Sequence, residues 1–253
     1  MKKLIFSTTI SLLLFQLPEA QSLKNLVKKN IKKDSTPVNT THIFTKVSNT
    51  TKSNLSNDEI INGLKEALQV GTERSAQKLS AVDGFFKDAV IKILMPEEAK
   101  KAEKKLRNLG MGKQVDNAIL SMNRGAEDAA KSAAPIFINA IRQMNFQDAM
   151  GILKGGDSSA TKYLRGKTIA ALTEAFRPVI ETSLAKVDAT KHWTTVFTTY
   201  NKFSSEKVNT DLSAYVTEKA LMGIFYQVAQ EEMKIRKDPL ARTSDILKKV
   251  FGN

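Results

Sequence analysis

The sequence predicts an all-α fold, a single-domain multi-helix bundle of about eight to ten helices, and three observations carry that expectation. Apolar residues recur three to five apart over long runs, the spacing that puts them on one face of a helix. Alternating apolar and polar residues, the mark of a half-buried strand, do not extend over a convincing length. Gly, Pro, Asn, Asp and Ser fall between the periodic runs, where caps and turns are needed. The run that organises the rest is GGDSSATKYLRGKTIAALTEAFRPVIETSLAKV at 155–187. Its apolar positions are Ala160, Leu164, Ile169, Leu172, Phe176, Ile180 and Leu184. Gly155 and Gly156 end the preceding element, and Asp157 is expected to cap the new helix with its carboxylate.

Taken in order, residues 1–22 read as a secretory signal peptide. Lys2 and Lys3 form a positive start, Leu4 to Leu17 an apolar stretch, and Pro18 precedes a small-residue cleavage site at Ala20 or Ser22. The 14 residues of the apolar stretch fall short of the roughly 20 that a spanning helix needs. The expected location is therefore the periplasm, with the leader removed. Residues 23–57 form a Lys-rich polar leader, with seven Lys and one Asp giving +6 of the chain's +13 formal charge. Leu23, Leu26, Val27 and Ile31 share one helical face there. Lys24, Lys28, Lys29, Lys32 and Lys33 lie elsewhere on the same turns and offer a weak contact to anionic membrane. A solvated, disordered spacer is the plainer reading, supported by the Thr-, Asn- and Ser-rich stretch that follows.

From residue 58 to 253 nearly everything reads as helix. Ser56 and Glu59 form a capping box that opens a helix through about Leu79, with Ile60, Leu64, Leu68 and Val70 facing inward. Asp83-Gly84 makes a turn that delivers Phe85 and Phe86. Pro96, Glu97 and Glu98 start a helix that Gly110 stops. Further helices are expected near 113–132, with Val115, Ile119 and Met122 inward, near 135–144, and from Asn145 as a cap to Gly155. Beyond the organising helix, 190–203 carries His192, Trp193, Phe197 and Tyr200. A long helix at about 211–237 ends before Pro239, and Thr243 caps a terminal turn through Val250.

Three separated segments resemble, in the same order, a bacterial family catalogued as domain of unknown function 4197. They are LKEALQVGTERSAQKLSAVDGFF at 64–86, GGDSSATKYLRGKT with AFRP at 155–178, and YVTEKALMGIFYQVAQEEMKIRKDPLARTSDILKKVFG at 215–252. The resemblance spans about 56–252. It implies an exported helical protein of Gram-negative bacteria and leaves the activity open. Some relatives look like lipoproteins. This chain has no cysteine to carry a lipid.

Composition narrows the chemistry. With no cysteine, disulfides, thiol catalysis and thiolate metal sites are excluded. The segment 58–253 has 30 basic and 24 acidic residues, a mild excess without a nucleic-acid motif, so no nucleic-acid partner is expected. His42 and His192 are the only histidines, too few and too separated for a metal site, and no cofactor is expected. No Ser sits on a hydrolase elbow. Of the carboxylate pairs Glu97-Glu98, Glu127-Asp128 and Glu231-Glu232, only one member can face a given site, because neighbours on a helix point about 100° apart. An enzyme would need two carboxyls from different elements facing each other.

A mixed-sign set remains within the family-like segments: Glu73, Arg74, Arg165, Lys167, Arg177, Glu231 and Arg236. One reading makes them interhelical ion pairs that fix helix register, since a buried cation must be paired. The other makes Arg165, Lys167 and Arg177 a pocket for a carboxylate or phosphate, aided by backbone N–H groups at the Gly155-Gly156-Asp157 turn. Phe85, Phe86, Met222, Phe225 and Tyr226 offer a separate apolar cavity or a filled core. The leading functional expectation is an exported, non-enzymatic binding or structural module of the envelope, its partner a protein or a small ligand. The alternatives are a periplasmic carrier of a hydrophobic or anionic small ligand and, after it, a carboxylate-dependent enzyme.

Overall fold

The computed structural model describes residues 56–238 except 187, 204 and 206, together with 240 and 248; side chains of Val196 and Tyr200 are also outside that set. The signal peptide, the Lys-rich leader and all but Lys248 of the expected terminal turn thus lie outside the described residues. The chain divides into two units, Met1–Thr51 and Lys52–Asn253, and every described residue belongs to the second.

Among the described residues the protein is all-α. Its helices are α1 (Asn57–Ser80), α2 (Lys100–Asn108), α3 (Gly112–Ala130), α4 (Ala133–Arg142), α5 (Phe146–Lys154), α6 (Ser159–Ala185), α7 (Ala189–Phe203) and α8 (Leu212–Lys237), with a 3-10 turn at Glu97–Ala99 before α2. Local chemistry places most of the boundaries. The Ser56–Glu59 capping box forms as the sequence predicts, and Asn145 with Asp148 forms a second one at α5. Asp211 caps α8 by accepting from the Ala214 N–H at 2.8 Å. At the end of α2, Gly110 takes φ +79°, the Gly110 N–H donates to Arg107 O and the Met111 N–H to Leu106 O. This is the paired-bond stop that favours glycine after a helix.

α6 is the centre of the bundle. It packs against α3, α4, α5, α7 and α8, and its Leu164, Leu172, Phe176, Ile180 and Leu184 are fully buried. Ile169 is only half-buried. Pro178 sits inside α6 without ending it. Both Pro178 and Glu174, whose carbonyl loses its helical donor, are exposed, so water can satisfy the freed oxygen.

α8 packs on α6 and α1 runs antiparallel to α8, with Gly71 against Glu231 and Lys78 bonded to Gln227. Between α1 and the 3-10 turn the chain crosses α3 in an irregular segment, and the Phe85 ring fills the gap between α3 and α8. A Cβ on Gly223 would lie 2.5 Å from that ring, so glycine is what lets Phe85 enter. Phe85 and Phe225 are buried, Phe86 is half-buried, and Met222 and Tyr226 are exposed. Phe225 meets Phe137 edge to face at 5.8 Å. These aromatics therefore fill the core or face solvent, and the apolar cavity lies elsewhere.

Candidate functional site

Two buried glutamates hold the bundle's charged groups together, and each does so by receiving backbone N–H groups from another element. Glu232 on α8 has a side chain only 5% exposed. It accepts from the Ala160 N–H at 3.0 Å, the Thr161 N–H at 2.9 Å and the Thr161 hydroxyl at 2.8 Å. Arg236, one turn on, donates to the same carboxylate at 3.0 Å and to Ile152 O at 2.9 Å. The first turn of α6 has no side-chain cap of its own, since Ser158 at the N-cap makes no such bond. The expected Asp157 cap is thus replaced. Asp157 pairs with Lys237 at 2.8 Å, which holds its carboxyl below the usual range. A carboxylate brought in by α8 meets both the orphan N–H groups and the positive end of the α6 dipole.

Glu127 on α3 plays the corresponding part for the VDGFF segment. It accepts from the Phe85 and Phe86 N–H groups, each at 3.1 Å, and from Arg124 at 2.5 Å. Arg124 also reaches Asp83 at 2.7 Å, and Lys87 pairs with Asp83 at 2.8 Å. The Lys87 and Arg124 donors draw the Asp83 carboxyl below its usual range. Asp83 itself takes φ +69°, and a Cβ on Gly84 would meet the Lys78 carbonyl at 2.5 Å. Buried Asn123 extends the same clamp, exchanging bonds with both the N–H and the carbonyl of Ile93.

The mixed-sign residues do not converge on one place. Arg236 belongs to the Glu232 node. Glu231 is buried and accepts from Lys234 and Gln227, while half-buried Glu73 accepts from Gln69. Arg74 is half-buried on α1. Exposed Arg177 pairs with Glu181 at 2.8 Å and Asp211 at 2.7 Å. Arg165 and Lys167 are exposed on α6 and lie over the Phe225 and Tyr163 rings at 5.5 and 5.8 Å. Twelve residues separate Arg165 from Arg177 along one helix, about 18 Å. At the turn before α6 the Gly155 N–H donates to Ile152 O, and within the first turn of α6 the Ala160 and Thr161 N–H groups donate to Glu232.

An apolar groove between α2, α3 and α7, with a cavity volume of about 360 Å³, is able to receive a ligand. Leu106 and Ala102 come from α2, Val115, Ala118 and Met122 from α3, and Trp193 and Phe197 from α7. Met95 and Met111 border it at either end of the α2 segment, and Glu103, Gln114, Asn117 and His192 supply its polar atoms. Trp193 is fixed in place. Its indole N–H donates to Asn209 O at 2.9 Å, and its ring lies 4.3 Å from that of Phe197. The volume lies within the range of small-molecule sites, which are apolar with a few polar groups. Sequence reasoning missed this groove because its walls come from three separate helices. Apolar positions on α2 were the available signal: a helix with Ala102 and Leu106 on one face and cations on the other must set that face against something.

Among the described residues no group of three or more His, Asp or Glu is placed to hold a metal ion. No described helix is long and apolar enough to cross a membrane.

Among the described residues the architecture defines a class: an all-helical scaffold stitched by buried carboxylates, with an open apolar groove. Residues 54–252 match the family model described as Protein of unknown function (DUF4197). The chain belongs to that family. No curated protein and no solved structure matches it.

Proposed function

We propose that this chain is an exported, non-enzymatic binding module of the bacterial envelope that carries a small molecule with an apolar body in the α2–α3–α7 groove. The observation that carries the reading is the groove itself, about 360 Å³ and walled by Leu106, Val115, Met122, Trp193 and Phe197. Soft methionines at 95, 111 and 122 suit a site that adapts to its ligand. The buried carboxylates support binding over catalysis. Glu127 and Glu232 spend their oxygens on backbone N–H groups and arginines, so neither is set to move a proton for a substrate. The signal-peptide pattern supports periplasmic location.

Trp193 supplies the test. Titration of the folded protein with a neutral naphthylamine probe is expected to give saturable energy transfer from Trp193. Ala118→Phe, which fills the groove from α3, is expected to abolish it while far-UV circular dichroism is unchanged. Absence of saturable binding by folded wild-type protein would remove the reading.

A further inference from the structure

We infer that the α2–α3 corner is a docking surface for an anionic lipid bilayer, which places the mouth of the groove at the membrane face. α2 is the least embedded helix, with no fully buried residue. Its Ala102, Glu103 and Leu106 face the bundle, while Lys100, Lys101, Lys104, Lys105 and Arg107 are exposed. From residue 100 to 113 the chain carries six cations against the single acid Glu103. Glu97 takes up Lys100, and Glu103 with Asp116 takes up Arg107. Lys104, Lys105 and Lys113 have no acidic partner among the described residues. They form the charge available to a surface of opposite sign.

Charge alone would suit many polyanions. The tip between the two helices adds what only a bilayer rewards. Leu109 is 76% exposed and Met111 39% exposed, on either side of Gly110. The two bonds closing α2 at Arg107 O and Leu106 O fix the turn, so Leu109 is held outward and is not a frayed end. An apolar tip ringed by lysines is the pattern of interfacial binding, where apolar burial and attraction to anionic headgroups add. Met111 also borders the groove. A tip seated among headgroups therefore brings Met111, a wall of the groove, to the membrane face.

The experiment is flotation of the exported chain, leader included, with phosphatidylcholine vesicles and with vesicles containing phosphatidylglycerol. Each lysine near such a surface contributes about fivefold in affinity. Replacing Lys104, Lys105 and Lys113 by Glu is therefore expected to weaken binding to anionic vesicles about a hundredfold or more. Leu109→Ser is expected to weaken it about tenfold, by withdrawing a leucine from the interface. Both variants alter exposed side chains, and unchanged thermal melts and naphthylamine binding would show that fold and groove persist. Two results would overturn the inference. One is full vesicle binding by these variants with loss on replacing the leader lysines 24, 28, 29, 32 and 33 by Gln. The other is binding to duplex DNA that follows the charge reversals and ignores Leu109→Ser, which would assign the patch to nucleic acid.

Discussion

Removing the Glu232 carboxylate is the sharpest test of how this bundle is held. In Glu232→Ala the N–H groups of Ala160 and Thr161 and the Thr161 hydroxyl lose a shared buried acceptor, and Arg236, with a side chain 14% exposed, loses its carboxylate. A buried donor left unpaired costs about 1–3 kcal/mol, and breaking a buried ion pair by removing one partner costs about 3–5 kcal/mol. These terms overlap, because Arg236 keeps its bond to Ile152 O. We expect about 4 kcal/mol in urea unfolding followed by circular dichroism, a large share of the roughly 5–15 kcal/mol that stabilises a domain. For a domain of this size that corresponds to a melting point about 8–16 °C lower. Glu232→Gln keeps shape and one acceptor and should lose about half as much. Amide exchange at Ala160 and Thr161 should accelerate in both variants, and sulfate should partly restore Glu232→Ala alone by occupying the vacated helix terminus. Loss of less than about 1 kcal/mol in Glu232→Ala, with exchange unchanged, would refute the account.

Glu127→Ala should cost about 3 kcal/mol, through the stranded Phe85 and Phe86 N–H groups, with heightened exchange confined at first to residues 81–93. Gly223→Ala puts a methyl group against the Phe85 ring and should cost about 1–3 kcal/mol in the same unfolding assay. In acid, Asp83, Asp157 and Asp211 all have carboxyls held below 3.8: Asp83 by Lys87 and Arg124, Asp157 by Lys237. For Asp211, burial pushes upward and is outweighed by the Ala214 N–H and Arg177. The unfolded chain then binds more protons, so this contribution is complete above about pH 4 and lost as pH falls further. Asp211→Asn should flatten that part of the stability profile. At high pH, burial, with Glu98, Glu97 and Glu218 nearby, pushes the Tyr215 hydroxyl up to about 12. Its contribution is present below pH 10 and lost as pH rises toward 12, and Tyr215→Phe should remove that alkaline slope.

The helices were legible because their signals are local. The capping box at Ser56, the cap at Asn145, the Gly110 stop and the periodicity of α6 each need only a few consecutive residues to act. The same locality explains the misassigned cap. Asp157 has the right chemistry at the right place, but Glu232, distant in sequence, arrives with better geometry and a drier setting. Pro178 shows the converse, a local breaker overridden because its side of α6 faces water.

The sequence by itself determined the all-α class, the central helix, the absence of thiol chemistry and the family, since periodicity, composition and ordered motifs do not depend on distant contacts. Tertiary structure alone decided which charges meet and where space is left. Glu127 and Glu232 look like ordinary helix-surface acids until packing places backbone N–H groups opposite them. Likewise, the groove exists only because α2, α3 and α7 meet without filling the gap between them, a property of side-chain volumes from three separate segments that no single stretch of sequence contains.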